Sequence, residues 1–334
     1  MNLSKAPAIR SEIKVVTMLR GLASSFVFLF HLINVSNGYV GNEMMRSIAF
    51  YGQFGVQFFF VISGFVITYS MINSGFRTKN YFTFLKKRVV RIEPPYLLVL
   101  ILTVIFIWIR VKSGLGHGDL PMPGWKQIVL HIGYLIPFSS YDWLSIVFWT
   151  LAIEFQFYLF FPLIFVIFVR REIFRWITSA CLVVFFFLSH SRAHFFYWSP
   201  VFLLGINLAL YKKNKIGSTE LWIIFGLLNI FIFYKLGITI GIFSIIPFLL
   251  ILFEPGLKIS ILNFLGRISY SLYLLHTLVA FAIINLGIRY ETHGLQKIFF
   301  IILAVSLTLF SSYLLYFYVE KPCQKWASAI RYKS

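Results

Sequence analysis

The sequence is short of charge. Only 12% of its 334 residues are Asp, Glu, Lys or Arg, and 11 are acidic. A water-soluble domain carries about 25% charged residues, so the composition excludes that class. Cysteine is nearly absent too. Cys181 lies inside an apolar run and Cys323 in the C-terminal tail, so no disulfide framework is expected. There is no CxxC, no HExxH, no paired-carboxylate metal pattern and no P-loop, so a metal enzyme is not expected. No internal repeat and no long polar segment is visible. Residues 1–334 therefore read as a single membrane-embedded domain.

What fills the sequence is apolar and aromatic. Hydrophobic residues make up 59% and aromatic residues 20%, and the mean hydropathy is +0.84. Such long apolar runs predict an all-α polytopic membrane protein. Ten spans can be drawn, at about 15–34, 48–70, 94–110, 144–169, 177–190, 197–211, 221–235, 238–253, 264–287 and 298–319. Lys5, Arg10 and Lys14 precede the first span, which is too long for a signal-peptide core and reads as a retained helix.

The net charge of +19 raises the question of nucleic acid, and its distribution answers it. With ten spans, 21 basic residues fall on one side, including Lys5, Arg10, Lys79, Lys86, Arg175, Lys258 and Lys333. Eight, including Arg46, Lys126 and Arg192, fall on the other, and Arg20 lies within the first span. This is the positive-inside pattern of a topology, with both termini cytoplasmic, and not a nucleic-acid surface. The longest outer loop, about Val111 to Trp143, holds Gly114, Gly116, His117, Gly118, Asp119, Pro121, Pro123 and Gly124. It has turn chemistry and no helical period. A loop this long is often functional, or else a mobile surface loop.

Five places carry polar groups into or beside apolar sequence. In the first span, Arg20 and His31 are eleven positions apart, about 20° apart around a helix and about 16 Å apart along its axis. A charge near the bilayer centre costs about 3 kcal/mol, so such residues normally face a protein-lined cavity. The plainer alternative is that Arg20 snorkels to the headgroups and His31 bonds a neighbour's carbonyl. In the run KKRVVRIEPPY, Arg88 and Arg91 share a helix face just before Pro94 and Pro95, which are expected to open the third span. The pair reads as a phosphate clamp, or as ordinary cytoplasmic anchoring to anionic headgroups.

The fourth span places Glu154 among Trp149, Tyr158 and Pro162. A carboxylate there pairs with a cation or titrates, and it is expected to orient His31, to hold Arg20, or to form a structural ion pair only. In the ninth span, His276 lies near Ser269, Tyr270, Ser271 and Tyr273 and suggests an interhelical network. Gly52, Gly55 and Gly64 of the second span favour close helix packing, with Ser63 bonding across helices. Ser63, Trp149, Tyr158 and His276 are thus candidate cavity-lining residues. His190 and His194 read as surface residues.

The order and spacing of these motifs resemble the integral-membrane acyltransferase-3 family. They are Arg20 with ten residues before His31, then FFFVISGF, KRVVRIEPPY, FWTLAIEFQFYLFFP, GRISYSLYLLH, and VEKP after the last span. Together they cover about residues 14–323. Thr17 stands where the family usually has Asp, and Lys87 where a second Arg is common. The resemblance implies a ten-helix domain of the bacterial inner membrane. It would move an acyl group, usually acetyl, from cytoplasmic coenzyme A to a hydroxyl of an extracytoplasmic or lipid-linked carbohydrate such as O-antigen or exopolysaccharide. It maps the family's basic and histidine positions of the first helix onto Arg20 and His31, its RxxR element onto Arg88 and Arg91, and its span-four acid onto Glu154. Acetyl-CoA would be a substrate, with no tightly bound cofactor and no metal.

On this reading, Arg20, Arg88 and Arg91 bind the acyl donor. His31 is general base for the acceptor or briefly carries the acetyl group, and Glu154 orients His31. A transporter of a lipid-linked sugar or lipid is the alternative, since polytopic architecture and intramembrane charges fit that class as well.

Overall fold

A long apolar chain in hydrocarbon must close its backbone hydrogen bonds within itself, and this chain does so with helices. The structure, a computed structural model, describes residues 14–36, 38–113, 122–257 and 259–332. Among these residues there is no β-strand. The helices are α1 (Lys14–Asn34), α2 (Glu43–Phe50), α3 (Gly55–Asn73), α4 (Tyr81–Lys112), α5 (Trp125–Ile132), α6 (Phe148–Arg170) and α7 (Glu172–Leu188). There follow α8 (Phe195–Lys212), α9 (Ser218–Leu236), α10 (Ile238–Phe253), α11 (Ser260–Arg267), α12 (Ser269–Arg289), α13 (Gly294–Leu315) and α14 (Lys321–Ala329). Lys5, Arg10, Lys258 and Lys333 lie outside the described residues, as do Gly114, Gly116, His117, Gly118, Asp119 and Pro121 of the long loop.

Each of the ten drawn segments holds a helix. Seven helical stretches among the described residues are long and apolar enough to cross a membrane. The helices α7 and α10, 17 and 16 residues long, are not in that set, and neither is the 18-residue α8, which Ser199, Asn207 and Lys212 make less apolar. The chain is therefore a multi-pass helical membrane protein with at least these seven candidate spans.

The helix α8 sits at the centre. Fifteen of its 18 residues are buried, so it is apolar all round and has no lipid face of its own. It crosses α3 glycine against glycine. A Cβ on Gly64 would fall onto the carbonyl of Phe202, and one on Gly205 onto the carbonyl of Val61. The same device seats α1 on α11, where Gly21 meets Leu262 and Gly266 meets the Thr17 carbonyl. These two crossings fix α1 and α3, the helices that carry Arg20, His31 and Ser63. On the periphery, Ile177, Ile223, Ile230, Ile298 and Phe310 point outward, as a hydrocarbon surface requires.

Two expectations are corrected. The helix α4 begins at Tyr81, so Pro94 and Pro95 lie inside it and do not open it. The basic run from Lys86 to Arg91 is helical as well. Pro94 and Pro95 carry no N–H and so free the carbonyls of Val90 and Arg91, and one residue on the Tyr270 hydroxyl donates to Ile92 O at 2.8 Å. The loop after α4 is also not featureless from residue 122 onward. It forms α5 and a short 3-10 turn, Ile136–Phe138.

At the end of the bundle that carries Arg88, a buried ion pair ties α7 to α9. Arg175 donates through Nη2 to Glu220 Oε1 at 2.6 Å and through Nε at 2.7 Å. Glu220→Ala would leave the guanidinium buried and alone, a loss of about 3–5 kcal/mol. The check is thermal unfolding in detergent, where a midpoint equal to that of the unaltered protein contradicts the assignment.

Candidate active site

The polar residues of the bundle gather around two chambers. The first is lined by Arg20 of α1, Ser63 of α3, Arg88 and Arg91 of α4, Glu154 and Tyr158 of α6, Ser269, Tyr270 and Tyr273 of α12, and Glu320. The i,i+3 spacing of Arg88 and Arg91 puts both guanidinium groups on its wall, as one helix face demands.

The two acids in this chamber are satisfied by neutral donors. Glu154 accepts from the Ser63 hydroxyl at 2.6 Å and from the Tyr158 hydroxyl. Glu320 accepts from Ser271 Oγ at 2.6 Å, from Ser271 N–H at 3.3 Å and from Gln324 Nε2 at 2.8 Å. Among the described residues no carboxylate lies within 4 Å of Arg20, Arg88 or Arg91. Arg88 rests on the rings of Phe84 and Tyr158, at 5.0 and 5.7 Å, and its Nε has no partner. Three guanidinium groups sheltered from water, with carboxylates otherwise engaged, form a site for a polyanion. Ser269 adds a fully buried hydroxyl with no partner.

The second chamber is lined by His31, Phe30, Gln53, Gln57, Trp143, Trp149, Arg192, Trp198 and Tyr273, among others. Aromatic walls with a few polar groups suit a carbohydrate better than a polyphosphate. Gln57 is buried, and its Oε1 has no partner. His31 Nδ1 bonds Val27 O at 2.9 Å and His276 Nε2 at 3.1 Å.

Val56 and Tyr273 line both chambers. Thr150 Oγ1 donates to Val147 O at 3.0 Å, so the Tyr273 phenol donates to Thr150 Oγ1 at 2.7 Å and its ring is pinned between the two spaces.

Arg20 and His31 thus both face the interior, as their shared stripe predicts, but they open into different chambers. Arg20, Ser63, Arg88, Arg91, Glu154 and Tyr158 come together, while Trp149 joins His31. Two expectations are corrected here. Glu154 does not orient His31, because its carboxylate is held by Ser63 and Tyr158 in the other chamber. His276 lines neither chamber; it is 1% exposed and packs behind His31.

Sequence reasoning did not single out Glu320 or Gln57. Glu320 is an acid within the VEKP motif, next to an apolar run, where it reads as a headgroup residue. The signal is a π-helical turn, Tyr316–Glu320, of the kind found at functional sites.

The wall of the second chamber is held by His131. Its Nδ1–H donates to Gln127 O at 2.8 Å, and the Leu144 N–H donates to its Nε2 at 3.1 Å. Burial lowers the His131 pKa below its ordinary 6.5. A lowered value means that the unfolded chain takes up the proton first. His131 therefore costs stability as pH falls below 6.5 and is neutral in effect above it. His131→Gln should flatten that acid-side loss in a series of melts from pH 7.5 to 5. An unchanged slope contradicts it.

An acyltransferase domain family model matches residues 13–317. The chain belongs to this acyltransferase family. O-acetyltransferase OatA of Staphylococcus aureus is 26% identical over 328 aligned residues, covering 82% of this chain and 53% of that protein. The chain thus spans about half the length of that relative. A viral protein, ORF330 of Acidianus two-tailed virus, whose name gives acetyltransferase as a provisional assignment, is 30% identical over 298 residues. That match covers 79% of this chain and 82% of the viral protein. No solved structure matches. Membership of the acyltransferase family bears out the resemblance drawn from the motifs.

Proposed function

We propose that the chain is an O-acetyltransferase with ten membrane spans and both termini in the cytoplasm. It moves an acetyl group from cytoplasmic acetyl-CoA to a hydroxyl of an extracytoplasmic or lipid-linked carbohydrate, such as O-antigen or exopolysaccharide, at the bacterial inner membrane. One observation carries this reading: a chamber with three unpaired guanidinium groups and a chamber with a histidine and aromatic walls meet at Tyr273.

Arg88 and Arg91 bind the donor's phosphates, and Arg20 faces the thioester end. The acceptor hydroxyl lies in the aromatic chamber. His31 Nε2 takes its proton as the oxygen attacks the thioester carbonyl. The C–S bond then breaks, and the coenzyme A thiolate takes the proton back from His31. Arg20, in the donor chamber with Arg88 and Arg91, holds the pantetheine end of the donor. Glu154 beside Arg20 and Arg88, and Glu320 beside Arg20 and Arg91, keep the three guanidinium groups from facing each other without counter-charge. Acetyl-CoA is a substrate in this scheme, and no tightly bound cofactor takes part.

The test uses membranes holding the full chain, acetyl-CoA and candidate glycans. Free thiol should appear only when an acceptor is present, and the glycan should gain one acetyl group. Movement of the glycan across the bilayer without modification, and with no thiol release, would replace this reading with transport.

A further inference from the structure

His276 is the buried titratable group that the scheme above does not use. It lies 245 positions from His31, on α12, and reaches it across the α1–α12 contact. Its ring is 1% exposed and packs edge-on against Phe28, with centroids 6.0 Å apart.

The hydrogen bonds fix its tautomer. His276 Nδ1 lies 2.8 Å from Tyr273 O and 3.1 Å from Leu272 O. Carbonyl oxygens only accept, so Nδ1 carries the proton. In a neutral ring, Nε2 is then a lone pair and must accept. The atom facing it at 3.1 Å is His31 Nδ1. His31 Nδ1 also faces Val27 O, so it too carries its proton. The His31 Nδ1–H is shared between that carbonyl and His276 Nε2, the acceptor that comes from outside α1. The unprotonated nitrogen of His31 is therefore Nε2. It has no hydrogen-bond partner among the described residues, and His31 lines the aromatic chamber.

We propose that His276 is the positioning residue for His31, accepting its Nδ1–H so that the Nε2 lone pair faces the acceptor. This rests on His31 acting as general base. A carboxylate in this place would hold an imidazolium by charge. A buried neutral imidazole orients the ring without adding a charge to an apolar site. The same His276 ring is anchored on the Tyr273 carbonyl, so the base is held in register with the residue that divides the chambers.

The experiment compares His276→Gln, which keeps an acceptor oxygen near the Nε2 position, with His276→Leu, which does not. Each is measured in membranes for kcat and for KM of acetyl-CoA. Histidine-selective nitrogen-15 NMR of the reconstituted protein without substrates reads the His31 tautomer, assigned by its loss in His31→Ala. His276→Leu should lower kcat about 100-fold, leave the KM for acetyl-CoA within about twofold, and mix the His31 tautomers. His276→Gln should recover kcat to within about tenfold and keep the Nδ1–H tautomer. Full kcat in His276→Leu overturns the proposal. So does an equal loss in both variants, or a lowered kcat with the tautomer unchanged. Full activity of His31→Ala would instead overturn the general-base reading itself.

Discussion

His31→Ala should lower kcat for acetyl transfer about a thousandfold while leaving the KM for acetyl-CoA within about twofold of its original value. The split follows from the two chambers. His31 lines the aromatic one and no donor-binding residue does, so its removal takes away the proton acceptor but no contact to coenzyme A. His31→Gln should lose nearly as much, because a carboxamide fills the space without taking a proton. His31 is half-buried near the end of α1, with Phe30 edge-on at 4.9 Å, so neither variant opens the core. Steady-state kinetics in membranes checks the result. A raised KM for acetyl-CoA with kcat unchanged would move His31 to the donor site.

The second large effect is expected at the basic chamber. Arg88→Ala and Arg91→Ala should each raise the KM for acetyl-CoA about 10- to 150-fold, since a hydrogen bond to a charged group contributes about 1.5–3 kcal/mol. The two lie on one face and share a ligand, so the double variant should depart from simple addition. Arg88→Lys should recover only part of the loss. Its planar group lies over the rings of Phe84 and Tyr158, and an ammonium cannot reproduce both those contacts and a forked phosphate contact. The KM should also climb with salt, more steeply in the original protein than in the variants. Unchanged donor affinity in both single variants would make the pair a membrane anchor.

Helical periodicity made part of this site legible in the sequence. Arg20 and His31 fall on one stripe, and Arg88 and Arg91 on one face, by spacing alone. Glu154 and Tyr158 are i,i+4 neighbours on one face, yet the expected partners of the acid were His31 and Arg20 and not the phenol that bonds it. What spacing does not carry is which helix meets which. The His31–His276 contact spans 245 positions and depends on how α1 packs on α12. For the same reason Glu154 read equally well as a partner of His31 or of Arg20. Hydropathy finds the apolar middle of a helix and misses polar ends. That is why α4 starts at Tyr81, thirteen residues before the expected boundary at Pro94. Short helices were legible as segments. Their role was not, because α8 is apolar for the sake of the core around it.

In the proposed reaction the two chambers that meet at Tyr273 take donor and acceptor from opposite faces of the bilayer. The most direct measurement uses oriented proteoliposomes with acetyl-CoA on the face that carries Arg88 and Arg91, and the acceptor glycan only on the other. Acetylated glycan should form, with free thiol appearing on the donor side. Product that forms only when donor and acceptor share one face would contradict it.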